Sequence, residues 1–237
     1  MNTPFLTAQW RSLAMLNYEI DPAILKPFVP RGTELDQWNG KTFVSVIGFL
    51  FLDTRVLGLP IPFHTNFEEV NLRFYVRRKS EGGWRRGVTF LREIAPRRAV
   101  ALIANSLYNE RYLALPMRHR VDLESQNGSA EYSWRFRKRW NHLRVETAGG
   151  WKEIEAGSPE EFITEHYWGY AAQRDGGCME YRVEHPRWRV MQTTKAEFDC
   201  DVAATYGAEY SAPLSLSPAS AFVAEGSEIT IYRGVRI

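Results

Sequence analysis

The chain has 237 residues, 44% of them hydrophobic, with a net charge of +2. This is enough apolar material for one large or two modest domains with a real core, and too little charge to imply an electrostatic partner by itself. Cys178 and Cys200 have no metal or redox spacing and read as reduced thiols. The longest apolar run, near Phe43 to Leu52, is too short to span a bilayer. The opening Met1-Asn2-Thr3-Pro4-Phe5 lacks the pattern of a signal peptide, so a soluble cytoplasmic protein with no membrane partner is expected.

In chain order, Asp21-Pro22 predicts a short helix, capped by Asp21 and stopped by Pro27. Val44 to Leu52 reads as a buried strand ended by Asp53, and Leu59-Pro60-Ile61-Pro62 as a rigid connector. Asn71 to Arg77 and Gly87 to Ile94 flank a turn at Glu81-Gly82-Gly83 and form a hairpin. Ala99 to Ala104 suits strand or helix. Val121 to Glu124 and Glu131 to Trp140 flank Gln126-Asn127-Gly128-Ser129, where Asn-Gly favours a tight hairpin. Ser158-Pro159-Glu160-Glu161 opens a helix expected to run to about Gln173, with Ile163, Tyr167 and Tyr170 as its core stripe. Val183 to Val190 and Ile229 to Tyr232 complete the strands. The pattern predicts one mostly β (α+β) domain over residues 1–237, with a few peripheral helices.

The most informative stretch is Phe67 to Arg77. With a period of two, Val70, Leu72, Phe74 and Val76 fall on one face and Glu69, Asn71, Arg73, Tyr75 and Arg77 on the other. In a closed barrel the polar row lines a pocket; in an open sheet it faces water. Alternation alone leaves both readings open. An enclosed Arg73 grips a carboxylate, and an enclosed Glu69 carries a raised pKa and moves protons. Tyr108 to His119 is dense in tyrosines, acids and bases, as suits a loop near a site or an ordinary ion-paired surface. The five histidines never fall in close ligand spacing, and adjacent Glu165 and His166 diverge on a helix, so no metal site is expected. Trp134 to Trp140 interleaves bases and aromatics like a nucleic-acid platform. Strand alternation instead turns Trp134, Phe136 and Trp140 inward with Lys138, and Arg135, Arg137 and Arg139 outward, so nucleic acid is the weakest partner reading. No dinucleotide fingerprint, phosphate loop or Gly-x-Ser-x-Gly elbow is present.

Several segments carry a resemblance. Trp10 to Tyr18, Asp21-Pro22, Pro30-x-Gly32, Phe67 to Val76, Tyr108-Asn109-Glu110-x-Tyr112-x-x-Leu115-Pro116-Met117, Glu165 to Tyr170 and Glu184-His185-Pro186-x-Trp188 resemble the YqjF-like family. That family in turn resembles the acetoacetate decarboxylase-like superfamily. The resemblance implies a cone-like closed β-barrel around a small-molecule pocket, no cofactor, and a homo-oligomer, although no interface is legible. It carries a site arginine to Arg11, at the matching spacing before Tyr18-Glu19-Ile20-Asp21, and a site glutamate to Glu69. At the place of the Schiff-base lysine the chain reads Pro116-Met117-Arg118, and the second site glutamate near Val44-Ser45-Val46 is missing. Met117 forms no imine and Arg118 stays protonated, so decarboxylation by the usual route is not expected. A Schiff-base route would need Lys138 as the substitute amine.

The resulting expectation is a pocket for a small keto or carboxylic acid. Glu69 and Arg73 are its catalytic candidates, and Arg11, Asn71, Tyr108, Glu110, Met117 and Arg118 its binding candidates. Lyase, hydratase or tautomerase chemistry fits an enzyme; the alternative is a non-catalytic ligand-binding or sensor protein.

Overall fold

The computed structural model describes residues 3–96, 112–125 and 127–237. The first strands are β1 (Pro4–Ile20), β2 (Glu34–Leu35), β3 (Thr42–Val56), β4 (Leu59–Pro60), β5 (Phe67–Ser80), β6 (Gly83–Ala95), β7 (Tyr112–Ala114) and β8 (Met117–Asp122). They are followed by β9 (Ser129–Phe136), β10 (Arg139–Thr147), β11 (Lys152–Glu153), β12 (Trp168–Ala172), β13 (Cys178–Glu184), β14 (Arg189–Asp199), β15 (Ser220–Tyr232) and β16 (Val235–Arg236). Helices are short; Pro22–Leu25 and Pro159–Thr164 are capped by Asp21 and Ser158, as their sequences predict.

The pairing order runs β13-β12-β6-β5-β3-β1-β15, and a further β13–β15 pairing returns the path on itself as a ring of strands. From β15 the sheet continues through β14 and β10 to β9 and β8. This second layer packs on the outside of the ring. Tyr132 and Trp134 on β9 share one apolar cluster with Val70, Leu72, Phe74 and Val76 on β5. Gly48 on β3 makes room for that contact, since a Cβ there would lie 2.5 Å from the Tyr132 ring. A second cluster fills the ring interior, including Ile47, Phe49, Tyr75, Phe222 and Phe162 from the helix Pro159–Thr164. Both faces of β5 are therefore buried, the apolar one between layers and the polar one inside the ring.

Four local readings are corrected. The helix from Ser158 stops at Thr164, and Trp168–Ala172 becomes β12, parallel to β6 and antiparallel to β13. Aromatics around Gly169 suit a strand, and Gly169 itself lies where a Cβ would meet the Tyr181 ring at 2.0 Å. Glu131 to Trp140 is two strands, because the chain reverses at Arg137 and Lys138, both at positive φ. Lys138 is thus an exposed turn residue, and Trp140 lies opposite Arg135 rather than in phase with buried Trp134. Val183 to Val190 is broken around Pro186 into the end of β13 and the start of β14. Asp53 does not end its strand; β3 runs on to Val56 through a left-handed Asp53. The Ala99 to Ala104 segment and Gln126 of the expected Gln126 to Ser129 turn lie outside the described residues, and β8 pairs antiparallel with β9.

Candidate functional site

Alternation on β5 places Glu69, Asn71, Arg73 and Tyr75 on the inner face of the ring, and three of them are almost fully enclosed, with exposures of 2% for Glu69, 3% for Asn71 and 1% for Tyr75. Neighbouring strands complete the polar wall. Asn71 lies opposite Glu93 on β6, and Glu93 lies beside Tyr112 on β7. The Tyr112 hydroxyl donates to Glu69 Oε2 at 2.7 Å, and Asn71 Nδ2 donates to Glu69 Oε1 at 3.1 Å. Burial pushes the Glu69 carboxyl up to about 7, although both hydrogen bonds pull it down. Desolvation wins because two neutral donors replace less of the hydration a carboxylate loses. The result is a carboxyl group poised to take up or release a proton near neutral pH.

Arg73 reaches the same wall. One terminal nitrogen donates to the Ile163 carbonyl at 3.0 Å, which ties the strand to the end of the helix Pro159–Thr164. Its Nε is buried and has no partner among the described residues. These side chains border a cavity of about 170 Å³. The adjoining surfaces are aromatic: Trp10 meets Phe49, Phe51 and Trp188 edge-on at centroid distances of 5.7, 5.9 and 6.3 Å. Trp188 is oriented by donating to Ser227 Oγ at 2.8 Å, and His185 is stacked between Trp188 and Tyr167. An engineered apolar cavity of roughly 150 Å³ holds benzene, so this one accommodates a small organic molecule.

His166 is a second polar wall residue, supplied by the segment between the helix and β12. It packs against Tyr75 and Phe162 with centroid distances of 4.7 and 5.7 Å. Burial pushes it down to about 4, against the pull of the nearby Asp36 carboxylate and with help from Arg86 and Arg73. Asp36 is itself buried. Burial pushes its carboxyl up, but the His166 ring and the Arg86 guanidinium more than offset this and hold it at about 2. Arg86 Nε donates to Asp36 Oδ2 at 2.6 Å.

Of the residues selected from sequence, Glu69, Asn71 and Arg73 come together on this wall. Arg11 does not join them. Its guanidinium donates to Gln9 Oε1 and to the Gly226 carbonyl, and a local irregularity in β1 around Ser12, at φ 56°, leaves Trp10 and Leu13 to face the cavity instead. Met117 and Arg118 lie on β8 in the outer layer. Met117 pairs opposite Trp134, and the Arg118 guanidinium sits 4.3 Å above the Trp140 ring. Tyr108 and Glu110 lie outside the described residues. Tyr112, Glu93 and His166 were not selected. Tyr112 stands in the Tyr108 to Met117 segment and His166 in the Glu165 to Tyr170 segment, both of which resemble the YqjF-like family, and His166 is also the histidine beside Glu165 for which no metal role is expected. Among the described residues no group of three His, Cys, Asp or Glu is arranged to hold a metal ion, and no helix is long and apolar enough to cross a membrane. All six lysines, at positions 26, 41, 79, 138, 152 and 195, are exposed, and none borders the cavity.

Residues 7–228 match the family DUF2071, described as an uncharacterized conserved protein (COG2071). The chain belongs to the DUF2071 family. Uncharacterized protein YqjF of Bacillus subtilis (strain 168) is 29% identical over 196 residues, covering 79% of this chain and 75% of YqjF. Among solved structures, an acetoacetate decarboxylase-like enzyme from Sphingomonas wittichii RW1 superposes with a TM-score of 0.67 at 12% identity, over 98% of this chain and 92% of that one. The enduracididine biosynthesis enzyme MppR complexed with pyruvate gives 0.66 at 12% identity, over 100% and 91%. Acetoacetate decarboxylase from Legionella pneumophila subsp. pneumophila str. Philadelphia 1 gives 0.65 at 12%, over 100% and 90%. At this identity the likeness is one of fold: this DUF2071 chain has the mostly β, acetoacetate decarboxylase-like architecture that its sequence motifs imply.

Proposed function

We propose that the cavity binds a small keto or carboxylic acid, that Arg73 holds its anionic oxygen, and that Glu69 exchanges a proton with its carbon framework. The observation that carries this reading is the buried Glu69 carboxyl, pushed up to about 7 on the same cavity wall that carries Arg73. In this step a C–H bond next to the oxo group breaks, its proton goes to Glu69, its electron pair forms the C=C bond, and the carbonyl π pair moves to the oxygen as an enolate. Tautomerase, hydratase and lyase reactions all begin or end with such a step. An imine-forming decarboxylase does not fit, because no lysine amine borders the cavity. The pyruvate bound by the fold relative MppR makes pyruvate the natural first probe.

Deuterium exchange from D2O into C3 of pyruvate and of phenylpyruvate, followed by proton NMR above the buffer rate, tests the proposal. Exchange is expected with the wild type and is expected to fall by about 100-fold or more in Glu69→Gln. Arg73→Met is expected to raise KM. Saturable binding without exchange would make the protein a non-catalytic binder. Neither binding nor exchange would overturn the reading.

A further inference from the structure

The His166 ring is buried, with its side chain 1% exposed, and its plane is fixed by Tyr75 and Phe162. Its two nitrogens have different surroundings. Nε2 lies 3.5 Å from a terminal nitrogen of Arg86. Arginine only donates, so this contact, shorter than the one to Asp36, favours the tautomer with the Nε2 lone pair toward the guanidinium. Arg86 is itself held by Asp36, whose carboxylate lies 3.9 Å from Nε2, beyond hydrogen-bond range. A neutral ring that accepts at Nε2 carries its proton on Nδ1. Nδ1 is buried without a partner among the described residues, and His166 borders the same cavity as Glu69. A buried N–H with nothing to donate to is costly, and an acceptor oxygen on a bound molecule removes that cost.

We infer that His166 is a ligand-binding residue whose Nδ1–H donates a hydrogen bond to the oxo oxygen of the substrate, so that the ligand class is one with a carbonyl acceptor beside an acidic C–H. The inference rests on the proposed proton transfer by Glu69. During that transfer the oxygen gains the electron pair and accepts a stronger hydrogen bond, and no proton leaves His166. A neutral imidazole suits this work, since it donates without contributing a charge to a dry cavity. Burial keeps the ring neutral, with its pKa lowered to about 4. The chain Ser220, Asn17, Ser45 and Tyr75 supports the geometry. Asn17 links Ser220 Oγ to Ser45 Oγ, and Ser45 bonds the Tyr75 hydroxyl, so the ring that His166 packs on is itself anchored.

The test uses the full chain labelled with 15N-histidine. Without ligand, the His166 signals are expected to show the Nδ1–H tautomer and no titration between pH 6 and 8. Added pyruvate is expected to shift the Nδ1–H resonance both in the wild type and in Glu69→Gln, which binds without exchanging. In the deuterium exchange assay, His166→Phe is expected to lose about 100-fold in kcat. His166→Asn, whose amide places a donor near the same point, is expected to stay within about tenfold of the wild type. An Nε2–H tautomer, an unmoved Nδ1–H signal at saturating pyruvate, or full activity in His166→Phe would overturn the role of His166 while leaving that of Glu69 standing. Absence of pyruvate and phenylpyruvate binding by the wild type would overturn both.

Discussion

A carboxyl group that titrates near 7 in the folded chain and near 4.5 elsewhere binds its proton more tightly in the native state. The stabilisation from Glu69 is therefore fully present below about pH 4.5 and is lost as pH rises through about 7. The full shift corresponds to about 3 kcal/mol. His166 acts in the opposite sense: its lowered pKa means the unfolded chain takes up more protons between about 4 and 6.5, so its contribution grows with pH over that range. The difference between wild type and Glu69→Gln isolates the first effect. Urea denaturation at pH 5 and pH 8 should show the variant losing less stability than the wild type between the two. Parallel losses would mean that Glu69 does not titrate in that window. The inward-facing trio of Glu69, Asn71 and Arg73 was legible in the sequence as an alternation, though not which way it faced. Tyr112 and His166 were not legible, because their contacts depend on strand neighbours 43 and 80 positions away, with Glu69 and Arg86. Arg11 misled for a related reason: spacing along β1 does not reveal the irregularity at Ser12 that turns its side chain toward Gln9.

At the level of strands and turns, two close approaches set what the sequence tolerates. Gly226 on β15 has φ +81°, and a Cβ there would lie 2.0 Å from the Trp10 carbonyl oxygen. Backbone cannot yield as a flexible side chain does. Gly226→Ala is expected to cost about 2–4 kcal/mol in urea denaturation and to disturb Trp10 on the cavity wall. The β9–β10 turn is strained in a milder way, with Arg137 at φ 46° and Lys138 at φ 72°. Lys138→Gly is expected to stabilise the chain by about 0.5–1 kcal/mol and to leave any proton exchange unchanged, since the turn lies in the outer layer. Loss of exchange in that variant would restore Lys138 as a chemical group. The hydrophobic period found the strands β3, β5 and β6, each shorter than it is, but could not see this reversal, because neither turn residue is one that favours positive φ. The helix after Ser158 was overextended because its start signals are strong and its end has no Gly-Pro stop. Gly169, costly inside a helix, was the available hint that the segment pairs as a strand.

For the whole molecule, the decisive feature is that β1 pairs with both β3 and β15. The ring closes only when the last long strand joins the first, and the second layer hangs from β15 through β14. Removal of residues 220–237 is therefore expected to abolish cooperative unfolding and near-ultraviolet circular dichroism, rather than merely to lower stability. A truncated chain that kept both would show that β1 finds another partner. The mostly β composition and the family motifs conveyed this architecture. The order in which strands meet was not encoded locally, since register across more than 200 residues leaves no trace in any short window. The same pairing has a consequence during synthesis. Trp10 is made more than 200 residues before Ser227, which orients Trp188 beside it. A nascent chain therefore carries Trp10 without this partner until β15 has been made, and the aromatic wall is sheltered only when that strand joins the ring.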